Sequence, residues 1–309
     1  MDTQSSAVEK STLAEGLSLQ ENLVNSFILG LNAPTERINT HASTIILVGD
    51  EAYKIKRAVR YSYLNYDSLP LRKAACEKEF AINHAISPSL YLGVVALYEG
   101  KDGIVRAADT LPMGAAPIEW AIKMRRFDQA ALFSVMAQKG LLSRQMIEET
   151  SRLIAHTHLN AIKIDPNSDI HGGGTSGANQ IATDVITELT KQHDPGMTQP
   201  LAHIAISLSG QIASYHTKLD ARLSHGLVRH CHGDLHLGNI CMVDGKPTLF
   251  DAVEFNDTIS NIDCLYDIAF LWMDLIASDK NLAANRAHAN NVMNTYLPYF
   301  DAYGDCSLI

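Results

Sequence analysis

The sequence predicts an α+β fold in two lobes, a small strand-rich lobe followed by a larger and mostly helical one. Three observations lead there. At 309 residues the chain is long for one compact core, and surface-to-volume scaling favours two lobes with a groove between them. Short β-rich runs are concentrated before residue 125, and after Phe127 nearly every segment carries apolar residues at helical spacing. The divisions that follow are a helical extension over 1–35, a small lobe over 36–124 and a helical lobe over 125–309.

The elements follow in order. "LAEGLSLQENLVNSFILGL" has helical periodicity and stops near Pro34. From Thr44, "TIILVGDEAYKIKRAV" reads as a β-hairpin about Gly49-Asp50, with Lys54 and Lys56 on one face of its second strand. "LPLRKAACEKEFAINHAI" is helical, and Pro88 separates it from the apolar strand "LYLGVVALYEG". "IEWAIKMRRF" is a further strand. Helices are then expected over "QAALFSVMAQKG", ending at Gly140, and over "SRQMIEETSRLIAHTHLNAI", with Ser143 as N-cap. "DIHGGGTSGANQ" lacks the Lys-Ser/Thr ending of a phosphate loop and reads as a flexible surface loop. After another helix, "NICMV" and "PTLFD" form two short strands about Asp244-Gly245, and "IDCLYDIAFLWMDLIA" is a core helix. The end, "DCSLI", has no polar tail and reads as a fragment boundary.

Composition excludes several classes. A net charge of −9 argues against nucleic acid as a partner, because phosphate neutralisation needs a basic face. The five cysteines include no CxxC pair, which fits reduced thiols in a cytoplasm better than a disulfide framework. No apolar run approaches the ~18 residues that span a bilayer, and the N-terminus lacks a signal-peptide pattern. A cytoplasmic protein without membrane contact is expected.

The chemistry is concentrated in "RHCHGDLHLGNICMVDGKPTLFDAVEFND". His230, His232, Asp234 and His236 make an HxHxDxH run that comes close to a dinuclear zinc motif but is one residue out of register, and no apolar strand leads into it. The same residues fit phosphoryl transfer better. Asp234 is followed five residues on by Asn239, and Asp251 comes after a short hairpin, the spacing of a base, an amide metal ligand and a carboxylate metal ligand. Asp234 would accept the proton of a substrate hydroxyl, while Asn239 and Asp251 would offer hard oxygens to Mg²⁺.

On "HGDLHLGNI", "LFDAVEFND" and "IDCLYDIAFL", the chain resembles the aminoglycoside phosphotransferase and choline kinase-like branch of the protein-kinase-like fold. "THASTIILVGDEAYKIKRAV", "CEKEFAINHAISPSLYLGVV" and "IEWAIKMRRF" resemble a bacterial subgroup often joined to a C-terminal P-loop ATP-binding domain. The resemblance implies Asp234 as catalytic base, Asn239 and Asp251 on Mg²⁺, and Lys54 or Lys56 on the α/β-phosphates, with Lys56 slightly preferred. Glu79 is implied as the helix carboxylate paired with that lysine. No GxGxxG precedes the hairpin, so the turn holding Thr40 and Ser43 is the candidate to cover the triphosphate. Met124 to Phe127 would be the adenine-binding hinge, His232 and His236 would brace the catalytic loop, and Asp267 would hydrogen-bond that loop from below. Glu254 is a candidate helper near the metal or the substrate.

The expected activity is transfer of a phosphoryl group from ATP or GTP to a hydroxyl of a small molecule. The sequence leaves the acceptor open. A nucleotide-binding regulatory module or pseudokinase acting on an associated ATPase domain is the alternative, and a zinc hydrolase the remote one.

Overall fold

The computed structural model describes residues 2–61, 63–167, 172–192, 198–277 and 282–300. Two compact units divide the chain, Met1–Asp128 and Gln129–Ile309. Together they form an α+β fold, antiparallel sheet in the first unit and mostly helix in the second.

In the first unit, helix α1 (Asp2–Leu31) precedes strands β1 (Thr35–Asn39), β2 (Ser43–Val48) and β3 (Glu51–Lys56). Helix α2 (Leu69–Ile86) follows, then β4 (Tyr91–Glu99), β5 (Val105–Ala108) and β6 (Glu119–Arg125). The six strands form one sheet in the order β1-β2-β3-β6-β4-β5, antiparallel throughout. Side chains on β3 alternate between its faces, as strand geometry requires. Tyr53 and Ile55 join a core with Val24 and Phe27 of α1, where Phe27 meets Tyr53 edge-on at 5.2 Å. Lys54 and Lys56 point the other way, to Glu79 of α2. The leading helix, expected as an extension, is thus one wall of this unit's core. β1 and β5 have no counterpart in the sequence reading, being short runs whose polar residues blur any alternation.

The second unit comprises α3 (Phe133–Gln138), α4 (Arg144–Asn160), α5 (Gly174–Gln192), α6 (Thr198–Ser224), α7 (Asp257–Ser260), α8 (Cys264–Ala277) and α9 (Leu282–Tyr296). Two small antiparallel pairs accompany them, β7 (Val228–His230) with β10 (Asn261–Asp263) and β8 (Ile240–Val243) with β9 (Lys246–Leu249). Ser143 caps α4 by accepting the Met146 N–H at 3.2 Å. The β8–β9 turn is Asp244-Gly245, with φ of 50° and 75°. Both central residues in the left-handed region make the two-residue turn whose twist matches a hairpin.

One expectation is corrected. The stretch read as a flexible loop is instead the buried start of α5, within the part that is described; residues 168–171 lie outside the described residues. Gly172, Gly173 and Gly174 are buried, and a Cβ on Gly173 would meet Val228 at 2.3 Å. The glycines serve close packing. The first turn's N–H at Thr175 donates to Asp220 Oδ1 of α6 at 2.8 Å, so a carboxylate of the chain already sits at this helix start.

Candidate active site

The buried face of α2 is polar, carrying Arg72, Cys76, Glu79 and Asn83 at helical spacing. Lys54 Nζ lies 2.8 Å from Glu79 Oε1, and Lys56 pairs with the other oxygen while covering the Tyr66 ring at 5.2 Å. Arg72 Nε reaches both oxygens of Glu119, at 3.0 and 2.8 Å. Burial pushes the Cys76 thiol up to about 12, so it stays a neutral packing group within this strip.

Thr40 and Ser43 close the β1–β2 turn on each other. The Ser43 N–H donates to Thr40 Oγ1 at 2.9 Å, and the Thr40 N–H to the Ser43 carbonyl at 2.8 Å. Met124 is buried within β6, opposite Ala52 and Tyr91, and the strand continues to Arg125.

In the second unit, the chain leaves β7 into the loop that holds Asp234 and enters β8 directly after Asn239. Asn239 Nδ2 donates to the Asp234 carbonyl at 2.9 Å and to its carboxylate Oδ2 at 3.0 Å. His236 Nε2 stands 3.5 Å from the same oxygen. Asp234 Oδ1 and Asn239 Oδ1 have no hydrogen-bond partner among the described residues. Asp234, with its side chain half exposed, therefore offers one oriented acceptor.

Three bonds draw the Asp251 segment to this loop. His232 Nε2 donates to the Phe250 carbonyl at 2.9 Å, the Val253 N–H donates to the His232 carbonyl at 2.9 Å, and the Phe250 N–H to the Asn239 carbonyl at 3.1 Å. Between them Asp251 adopts φ 63°, a left-handed conformation that Asp tolerates better than most residues other than glycine. Glu254 is buried three residues on.

The three histidines of the HxHxDxH run have separate tasks. His230 Nδ1 contacts Asn261 Oδ1 at 2.9 Å. His232 is buried, and burial holds its pKa below the usual histidine value, so the ring is a neutral brace. His236 accepts the Gly238 N–H on Nδ1 at 3.0 Å, and the Asp234 carboxylate raises its pKa against the opposing effect of burial.

Asp267, on α8, holds the loop from beneath. Its oxygens accept the N–H groups of His232 at 3.1 Å and Gly233 at 2.9 Å, and His158 Nε2 of α4 lies at 2.9 Å. Burial alone would raise the Asp267 pKa, but the His158 bond and charge overcome it and hold it low. His158, whose other nitrogen meets Tyr296 Oη at 2.7 Å, was not indicated by the sequence; nor was Asp274, which accepts the Leu237 N–H at 2.8 Å. His158, Cys231 and Asp267 have ligand atoms within 4.8 Å of one another. The hydrogen bonds just described already occupy the histidine and the carboxylate. Asn239 carries an amide oxygen and Asp251 a carboxylate, the oxygen types that hard divalent cations take.

No helix among the described residues is long and apolar enough to cross a membrane. No family model matches the chain. Over 240 residues, 76% of this chain, it is 28% identical to the uncharacterized proteins Rv2004c of Mycobacterium tuberculosis (strain ATCC 25618 / H37Rv) and Mb2027c of Mycobacterium bovis. That match spans 45% of the relatives' length. Among solved structures, choline kinase from Cryptosporidium parvum Iowa II superposes with a TM-score of 0.50 at 10% identity, covering 88% of this chain and 76% of that one. Aminoglycoside phosphotransferase APH(3'')-Id from Streptomyces rimosus gives 0.49 at 14% identity, covering 93% and 96%. The chain shares the two-lobed α+β fold of that choline kinase.

Proposed function

We propose that this protein transfers the γ-phosphoryl group of ATP or GTP to a hydroxyl of a small molecule. The observation that carries the reading is the Asp234–Asn239 pair. Asn239 ties down one carboxylate oxygen and the Asp234 carbonyl with its amide nitrogen, so Asp234 Oδ1 and Asn239 Oδ1 are both left as acceptors. Asp234 Oδ1 accepts the proton of the acceptor hydroxyl as its oxygen bonds to the γ-phosphorus and the bond to the departing nucleoside diphosphate breaks. Asn239 and Asp251 would hold Mg²⁺, which when bound neutralises charge on the phosphate oxygens. Lys54 or Lys56 meets the α- and β-phosphates, with Glu79 pairing with both ammonium groups.

The rest of the site is positioning. His232 and Asp267 hold the base loop and the Asp251 loop in register by backbone contacts, so little reorganisation accompanies the reaction. The described cysteines are free and buried, which fits a reducing cytoplasm. Calorimetry with Mg·ATP tests the assignment. The wild type should bind in a Mg²⁺-dependent manner and Asp251→Ala should lose that dependence; equal, metal-independent binding by both would sink it. Binding without turnover over a broad panel of hydroxyl compounds would favour a regulatory nucleotide-binding module instead.

A further inference from the structure

We infer that Gln20, in the leading helix, is a positioning residue for polyphosphate binding. The inference rests on the phosphotransferase reading above and lies wholly within the first unit. Gln20 is 8% exposed. Its Nε2 donates to the Lys56 carbonyl at 2.7 Å and to Glu119 Oε2 at 2.8 Å, and its Oε1 accepts the Ala58 N–H at 2.8 Å. One amide therefore grips the backbone on both sides of Arg57.

That tripeptide reaches two phosphate-binding candidates at once. Lys56 sends its ammonium to Glu79. The Arg57 N–H donates to the Ala42 carbonyl at 2.9 Å, and its guanidinium donates to the Thr40 carbonyl at 2.9 Å and the His41 carbonyl at 3.4 Å. Tyr61 Oη adds a bond to the His41 carbonyl at 3.2 Å. Every carbonyl from Thr40 to Ala42 is thus drawn towards residues 57–61. The N–H groups of His41 and Ala42 have no acceptor among the described residues. A turn with its carbonyls pinned and its amides spare is an anion cradle, and it replaces a glycine-rich loop by bracing in place of flexibility. Gln20 fixes the brace, so α1 acts on phosphate through Lys56 and Arg57 without touching it.

The test compares ADP, with Mg²⁺, against adenosine by calorimetry on the full chain. Gln20→Met keeps the side chain's length and removes its polar bonds. It should weaken ADP binding about tenfold, the equivalent of one well-made buried hydrogen bond, and leave adenosine unchanged. Leu19→Ala, at a residue 70% exposed on the same helix, should alter neither. An equal loss for both ligands would mean a merely structural role, and an unchanged ADP affinity would mean none; either result overturns the inference. Should Gln20→Met fail to fold, Arg57→Met, at a partly exposed position, must show the same ADP-selective loss or the inference fails. A wild type that binds no ADP contradicts the phosphotransferase reading itself, a distinct result.

Discussion

Replacing Glu79 with glutamine probes the ionic strip most sharply. The carboxylate is fully buried, and the side chains of its partners Lys54 and Lys56 are 10% and 4% exposed. Glu79→Gln keeps the volume but leaves two buried ammonium groups without their shared counter-charge. Breaking one buried pair costs about 3–5 kcal/mol, and because Glu79 serves two cations the loss should lie within that range. Domains hold only about 5–15 kcal/mol in all, so the variant should be folded but marginal. Urea unfolding at neutral pH would read this as a lowered midpoint at constant slope. The same helix supplies the control, since Lys73 and Glu77 also pair but are 43% and 55% exposed. Glu77→Gln should lose less than about 1 kcal/mol. Adding Lys56→Met to Glu79→Gln removes one of the two buried cations and should recover part of the loss. If Glu79→Gln costs no more than Glu77→Gln, the buried ionic arrangement described for α2 and β3 is wrong.

Other consequences follow from the second unit. Asp267→Asn should lose about 3 kcal/mol or more, because the buried carboxylate serves His158 and two loop amides. Since its folded pKa is held low, its stabilisation is present above about pH 4 and lost as pH falls through the folded value; acid unfolding of Asp267→Asn should lack that component. His236 has a raised pKa, so its pairing with Asp234 stabilises fully below about pH 6.5 and fades as pH rises through the higher folded value. Melting temperatures of His236→Gln should therefore vary less with pH from about 6.5 upwards than those of the wild type. Gly173→Ala should cost about 1–3 kcal/mol by overpacking against Val228. Gly210→Ala, in α6 with nothing within 4 Å, should gain up to about 1 kcal/mol from helix propensity.

Local chemistry made much of this molecule legible in the sequence. The β8–β9 hairpin was readable because Asp244-Gly245 has few other uses, and α2 because its periodicity runs unbroken from Leu69 to Ile86. Alternation along β3 predicted that Lys54 and Lys56 share a face, but it could not show that one carboxylate serves both. Other contacts depend on partners far apart in the chain. Gln20 meets Lys56 across 36 residues, and His158 meets Asp267 across 109. No local pattern marks either. The strands β7 and β10 span three residues each, too short to show a period. The glycine run at the start of α5 is ambiguous in sequence because glycine signals a free loop and close packing equally well, and only the neighbouring Val228 decides between them.

Phosphoryl transfer can be read in an untargeted screen of small-molecule metabolites with ATP and Mg²⁺, with Asp234→Asn as the blank. A phosphorylated hydroxyl compound should accumulate with ADP in the wild-type reaction and be absent with Asp234→Asn. Product formed at equal rates by both proteins would contradict the role given to Asp234.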